Sequence, residues 1–83
     1  MSEESATEIA AGLRLAGWSP AELWWAALGI GGAFTVLNVE LIILGTVAAT
    51  ANEHDILAAA LNDHFTAHGQ DHPVRYWDDL PSR

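Results

Sequence analysis

The most apolar part of the chain runs from Leu23 to Ala51 and carries a single charged residue, Glu40. The glycine-rich stretch 29–32 interrupts it. Beyond this break, apolar side chains go nearly all the way round a helix that the pattern places at 36–47. A helix of this kind is typical of the centre of a bundle or of a lipid environment. The pattern therefore predicts a central helix and leaves two settings for it.

Helix start signals divide the rest of the chain. The spacing of Ser5 with Glu8, Ser19–Glu22 and Thr50–Glu53 is that of a capping box, in which each residue's side chain bonds the other's backbone amide. Thr35 can cap the apolar helix. These signals predict an all-α fold, a small bundle of three or four short helices at about 6–16, 20–28, 36–47 and 51–68.

The chain is short enough to form one small helical domain over residues 1–83. Residues 70–83 form an irregular, acidic and aromatic tail. Its four larger apolar side chains are expected to pack back onto the bundle: Val74, Tyr76, Trp77 and Leu80. A chain of this length buries only about 60–65% of its unfolded surface, so a partner, a second copy or a membrane would stabilise it.

The charge balance excludes some partners. The net charge is −8, with three arginines and no lysine. Nucleic acid requires a basic face, so no nucleic-acid partner is predicted, and anionic lipid is disfavoured. There is no cysteine for a disulfide or a zinc–thiolate site. Glu3, Glu4 and Glu8 precede the apolar run where a signal peptide would be basic, which predicts a cytoplasmic location. The Ala-, Gly- and Leu-rich composition indicates a bacterial gene of high GC content.

A membrane setting remains the alternative to a soluble bundle. A single span within 23–51 is apolar enough to cross a bilayer, and Trp24 and Trp25 could lie at its interface. Against it, the glycine cluster falls inside the span, Glu40 would lie deep in hydrocarbon, and the flanks lack basic anchors. The capping signals, moreover, divide the chain into helices of globular length. We therefore favour the soluble bundle.

Three histidines at four-residue spacing, His64, His68 and His72, are the candidate metal ligands. The first two would lie one turn apart on one helix face, as in sites where two imidazoles share an ion. Asp63, Asp71 or Glu40 could add an oxygen ligand. The alternative is that His64 and His68 border the apolar face while His72 lies in the loop after Gly69. We expect no bound metal or cofactor.

Glu40 is the anomalous residue, a carboxylate on a helix that is otherwise almost wholly apolar. If buried, it would need a partner, for which His54 and Arg14 are candidates, or it could fix helix register. The alternative is that Glu40 lies at the edge of the bundle in water.

The aromatic residues predict an interface. Trp24 and Trp25 are adjacent and point about 100° apart on a helix, so at least one should be exposed or in a partner contact. The alternative is that both pack within the bundle. Exposed tryptophans are common anchors of protein interfaces. Four residues are predicted to contribute to the interface: Trp24, Trp25, Phe34 and Trp77.

No catalytic set or cofactor fingerprint is recognisable, so the chain is predicted not to be an enzyme. The predicted function is a non-catalytic protein–protein interaction module, a regulatory or adaptor subunit that acts through an apolar helical and tryptophan surface. Its partner would be another protein or a second copy in a homodimer. Two alternatives are a single-span accessory subunit of a membrane complex and a histidine-based metal-binding module.

Overall fold

Within residues 2–81 the chain folds into four α-helices followed by one 3₁₀ turn. The computed structural model describes the backbone of these residues and the side chains of residues 3–81. The helices are α1 (Ser2–Ala16), α2 (Pro20–Gly29), α3 (Val36–Ile43) and α4 (Ala51–Ala67), and the 3₁₀ turn is Trp77–Asp79. No strand is present in this part of the chain, and the predicted all-α bundle is confirmed.

Capping boxes begin α2, α3 and α4. The backbone N–H of Ser19 donates to Glu22 Oε1 at 2.7 Å, and that of Thr50 donates to Glu53 Oε1 at 2.8 Å. Thr35 forms the same reciprocal pair with Asn38. These contacts satisfy backbone amides that the first turn of a helix leaves without partners. The starts predicted at residues 20, 36 and 51 are therefore confirmed.

Helix α1 begins earlier than predicted. It starts at Ser2, so Ser5 lies inside the helix and the predicted capping box with Glu8 is wrong. The side chain of Ser5 is buried, and its Oγ lies 2.7 Å from Nδ1 of His54 on α4. Glu8 instead binds Arg75. Both residues of the expected local pair therefore make contacts distant in sequence.

Helix α3 ends at Ile43, four residues before the predicted end. Gly45 has a φ of +78°, a left-handed conformation that favours glycine. The N–H of Gly45 donates to the carbonyl of Ile42, and the N–H of Thr46 donates to that of Leu41. This pair of bonds is the Schellman motif, which ends a helix by satisfying its last carbonyls. The apolar stretch 23–51 thus forms two short helices joined by a turn. No helix in the described chain is long and apolar enough to cross a membrane.

The core lies around α4, and the prediction that the 36–47 helix is central is wrong. Helix α4 packs against both α1 and α2, while α3 packs against α2 and α1 at the side of the bundle. In α3 only Val39 and Ile42 are buried. In α4 the buried side chains are those of His54, Leu57, Ala58, Ala60, Leu61, Asn62 and Phe65.

The C-terminal segment, residues 70–81, lies against α1 and α4. Val74 and Leu80 are 2% and 7% exposed. Gly12 on α1 makes room for this packing, because a Cβ atom there would lie 2.7 Å from Cγ2 of Val74 and 3.0 Å from Cδ1 of Leu61. The segment therefore supplies part of the core.

Candidate interaction surface

Helix α2 divides its side chains between the core and the outside. Leu23 and Ala27, one turn apart, are fully buried. Trp25 and Leu28 lie on the other side and are 69% and 44% exposed. Trp24 is half-buried between the two. The prediction that at least one of the adjacent tryptophans is exposed is therefore confirmed, and the exposed one is Trp25.

The turn between α2 and α3 holds the indole of Trp24 in place. Its Nε1–H donates to the backbone carbonyl of Phe34 at 2.8 Å. Gly32 permits this close packing, since a Cβ there would lie 2.8 Å from the Phe34 ring and 2.9 Å from the carbonyl oxygen of Ala27. The Phe34 ring itself is buried. Phe34, one of the four predicted interface residues, thus contributes to this region through its carbonyl, while its ring lies in the core.

An open apolar groove of about 480 Å³ lies on this side of the molecule. We call it the tryptophan groove. It is lined by Trp18, Ala21, Glu22, Trp24, Trp25, Ala26 and Val36. The rings of Trp24 and Trp25 lie 6.0 Å apart between centroids and are tilted by 55°. Behind the groove, Trp18 packs against His64 at a centroid distance of 4.8 Å. These contacts hold the rings of Trp18 and Trp24 in place, so that they form preformed walls of the groove. The side chain of Trp25, beside them, is mostly exposed to solvent.

Large apolar side chains are also exposed outside the groove. Leu37 on α3 is 61% exposed, and Leu44, just after α3, is 75% exposed. Leu15 near the end of α1 is 71% exposed. Single exposed leucines are normal in folded proteins, whereas a groove walled by three tryptophans is not.

Glu40 is exposed, so the hypothesis of a buried anomalous carboxylate is wrong and the alternative, a position at the edge of the bundle, is what the structure shows. The reason is the lateral position of α3, which turns Val39 and Ile42 inward and leaves Glu40 on the outer side. His54 does not serve as its partner, because the His54 ring bonds Ser5 and the Arg75 carbonyl. Neither a hydrogen bond nor an ion pair links Glu40 to another side chain within residues 3–81.

The three histidines considered as candidate metal ligands do not form one cluster. The rings of His64 and His68 lie 4.4 Å apart between centroids and are tilted by 44°, and Nδ1–H of His68 donates to the His64 carbonyl at 2.8 Å. His72 lies in the following loop, with Nδ1 3.0 Å from the carboxylate of Asp71. Among the described residues, no group of three His, Asp or Glu side chains is placed to hold a metal ion.

The polar interior was not predicted. His54 is fully buried, with Nε2 2.9 Å from the carbonyl oxygen of Arg75. A carbonyl only accepts, so Nε2 carries a hydrogen and, in the neutral ring, Nδ1 accepts from the Ser5 hydroxyl. Because Ser5 and His54 are both 0% exposed, this serine–histidine pair is closed to a substrate. It joins α1, α4 and the C-terminal segment.

Asn62 makes a second link to the C-terminal segment. Its Nδ2 donates to the Val74 carbonyl at 2.8 Å, and its Oδ1 accepts from the Val74 N–H at 3.0 Å. Asn62 is 1% exposed. For His54, the sequence does indicate burial. His54 lies three residues before Leu57 and seven before Leu61, which places all three on the apolar face of the helix.

Trp77, the fourth predicted interface residue, helps to attach the C-terminal segment to α4. Its backbone N–H donates to Asp55 Oδ1 at 2.8 Å, and its ring meets His54 edge-on at 5.9 Å. Nearby, the Arg75 guanidinium pairs with Glu8 at 3.0 Å. Trp77 is half-buried and is not among the residues that line the tryptophan groove.

Comparison of the chain with protein-family models, with curated proteins and with solved structures finds no match.

Proposed function

We propose that this protein is a non-catalytic interaction module, a regulatory or adaptor subunit that binds another protein chain through the tryptophan groove. The observation that carries the proposal is the exposure of Trp25 beside the anchored rings of Trp18 and Trp24. Aromatic side chains supply large contact areas at low cost in conformational entropy, and tryptophan is enriched among residues that dominate binding energy.

The shape of the groove supports the same proposal. The indole of Trp24 is fixed by its hydrogen bond to Phe34, and Trp18 is fixed by its contact with His64. Preformed walls reduce the ordering cost that a partner would otherwise meet on binding. The partner can be a second copy, giving the homodimer predicted from the sequence, or a different protein. A regulatory role and a cytoplasmic location remain parts of this proposal.

A comparison of two matched variants tests the proposal. The tagged protein is purified from its native cells as the wild type, as Trp25→Ala and as Leu15→Ala, and the copurifying chains are quantified. Leu15 is the control because it is as exposed as Trp25 but lies outside the groove. Loss of a buried tryptophan anchor weakens binding by at least about 2 kcal/mol, about thirtyfold in Kd.

We therefore expect Trp25→Ala to lose the copurifying chain and Leu15→Ala to retain it, with both variants as helical as the wild type by circular dichroism. Equal retention by the two variants, or a loss confined to Leu15→Ala, would place the interaction elsewhere on the surface and refute the proposal.

A further inference from the structure

We infer that the partner in the tryptophan groove is a basic amphipathic helix of a different protein and not a second copy of this chain. This inference rests on the proposed function and adds the chemistry of the partner.

One carboxylate lines the groove, and a second follows a groove residue by one helical turn. Glu22 is the one charged residue among those that line it. Val36 also lines it, and Glu40 follows Val36 by four residues on α3, so the two lie on neighbouring turns of the same helix face. Glu40 is exposed and has no ion-pair partner within residues 3–81. Glu22 accepts the capping bond from Ser19, but neither Glu22 nor Glu40 is paired with a cation within residues 3–81. An apolar groove with two such carboxylates fits a partner whose apolar face is bordered by lysine or arginine.

A second copy is a poor fit to these charges. A two-fold symmetric contact would place the same surface patch on both sides, so each copy would bring its own carboxylates. Each chain carries a net charge of −8 and only three arginines. One of them, Arg75, is already paired with Glu8. Self-association through the groove would therefore bring like charges together, and no arginine is among the residues that line the groove to offset them.

The exposed apolar residues of α2 fit a helix as the bound element. Ala21, Trp25 and Leu28 are all exposed and follow one another at spacings of four and three, which aligns them in one stripe. Stripes of this spacing are the contact surface in helix-to-helix recognition. The stripe runs beside Glu22 on the same helix, so a partner helix lying along it would meet the carboxylate at its edge.

Two synthetic helical peptides with the same leucine face test the inference, one with lysine on its polar positions and the other with glutamate. Binding to the full chain is measured by calorimetry at low and at high salt. We expect the lysine peptide to bind at least about tenfold more tightly than the glutamate peptide, and its advantage to shrink in high salt as the charges are screened.

Matched charge variants separate the groove from the overall negative field. The double variant Glu22→Gln with Glu40→Gln removes two charges at the groove, and glutamine at position 22 can still complete the capping box. The control is Asp78→Asn with Asp79→Asn, which removes two exposed charges from the 3₁₀ turn, an element packed against α4. We expect the first pair to weaken lysine-peptide binding about fivefold and the second to change it less than about twofold.

Three results would overturn the inference. The first is equal binding of the two peptides, or none. The second is an equal effect of the two charge variants, which would show that the peptide senses only net charge. The third is a dimer mass by light scattering that Trp25→Ala returns to the monomer mass. The third result would leave the proposed function standing, because the groove would still bind a protein chain, whereas a failure of the copurification test would remove both.

Discussion

At the scale of single residues, buried polar side chains decide how the C-terminal segment is attached. His54 and Asn62 lie on the apolar side of α4, and each bonds backbone atoms in residues 74–75. A hydrogen bond adds little net stability by itself, but leaving a buried donor or acceptor unpaired is costly. These residues therefore specify where the segment lies rather than adding much attraction.

Replacing Asn62 by Ala should lower the free energy of unfolding by about 2–4 kcal/mol, because the N–H and carbonyl of Val74 would both lose their buried partner. Urea unfolding followed by tryptophan fluorescence measures this change. The control is Asn52→Ala, at an exposed position in the first turn of α4, where we expect a change within about 0.5 kcal/mol. Similar values for the two variants would contradict the role given to Asn62.

At the scale of elements, the sequence predicted what depends on local contacts. The capping boxes at Ser19 and Thr50 involve residues three apart, so their spacing alone identifies them. Ser5 and Glu8 have the same spacing but form no capping box, because the Ser5 hydroxyl is hydrogen-bonded to His54, 49 residues away. Local spacing cannot show that a distant partner competes for the same hydroxyl group.

The candidate surface was predictable only in part, for a related reason. Because Trp24 and Trp25 are adjacent, they point about 100° apart on a helix, which favoured the exposure of at least one of them. The position of Glu40, by contrast, depended on whether α3 is central or lateral. The hydropathy pattern could not predict which side of α3 is buried. A helix of eight residues with apolar residues on all sides buries only the side that meets its neighbours.

The packing of α1 against the C-terminal segment gives a prediction about an element contact. Gly12→Ala should destabilise the fold by about 1–3 kcal/mol, because the added methyl group would overlap the Val74 side chain. Thermal unfolding by circular dichroism measures the effect. The control is Gly29→Ala at the end of α2, where a Cβ atom meets nothing within 4 Å.

Alanine is a better helix former than glycine, so Gly29→Ala should be neutral or stabilising by up to about 1 kcal/mol. If Gly12→Ala were as stable as this control, α1 would not be in close contact with the C-terminal segment.

At the scale of the whole molecule, different sides of α4 serve different purposes. On one side, His54, Asp55 and Asn62 hold the C-terminal segment. In its last turns, His64 supports Trp18, and so α4 also supports one wall of the tryptophan groove. The fold is thus closed by polar contacts on one side and presents an open apolar groove on another. A chain of 83 residues has a small hydrophobic core. Binding a partner through the groove would therefore stabilise the fold further.

Photocrosslinking in the native cells tests most directly whether the tryptophan groove is where a partner binds. The photoreactive residue p-benzoylphenylalanine is placed at position 25 in one sample and at position 15 in another. Both positions are exposed, and only position 25 lines the groove. We expect a discrete crosslinked product from position 25 and none from position 15. A discrete product from position 15 alone, or none from either position, would contradict this expectation.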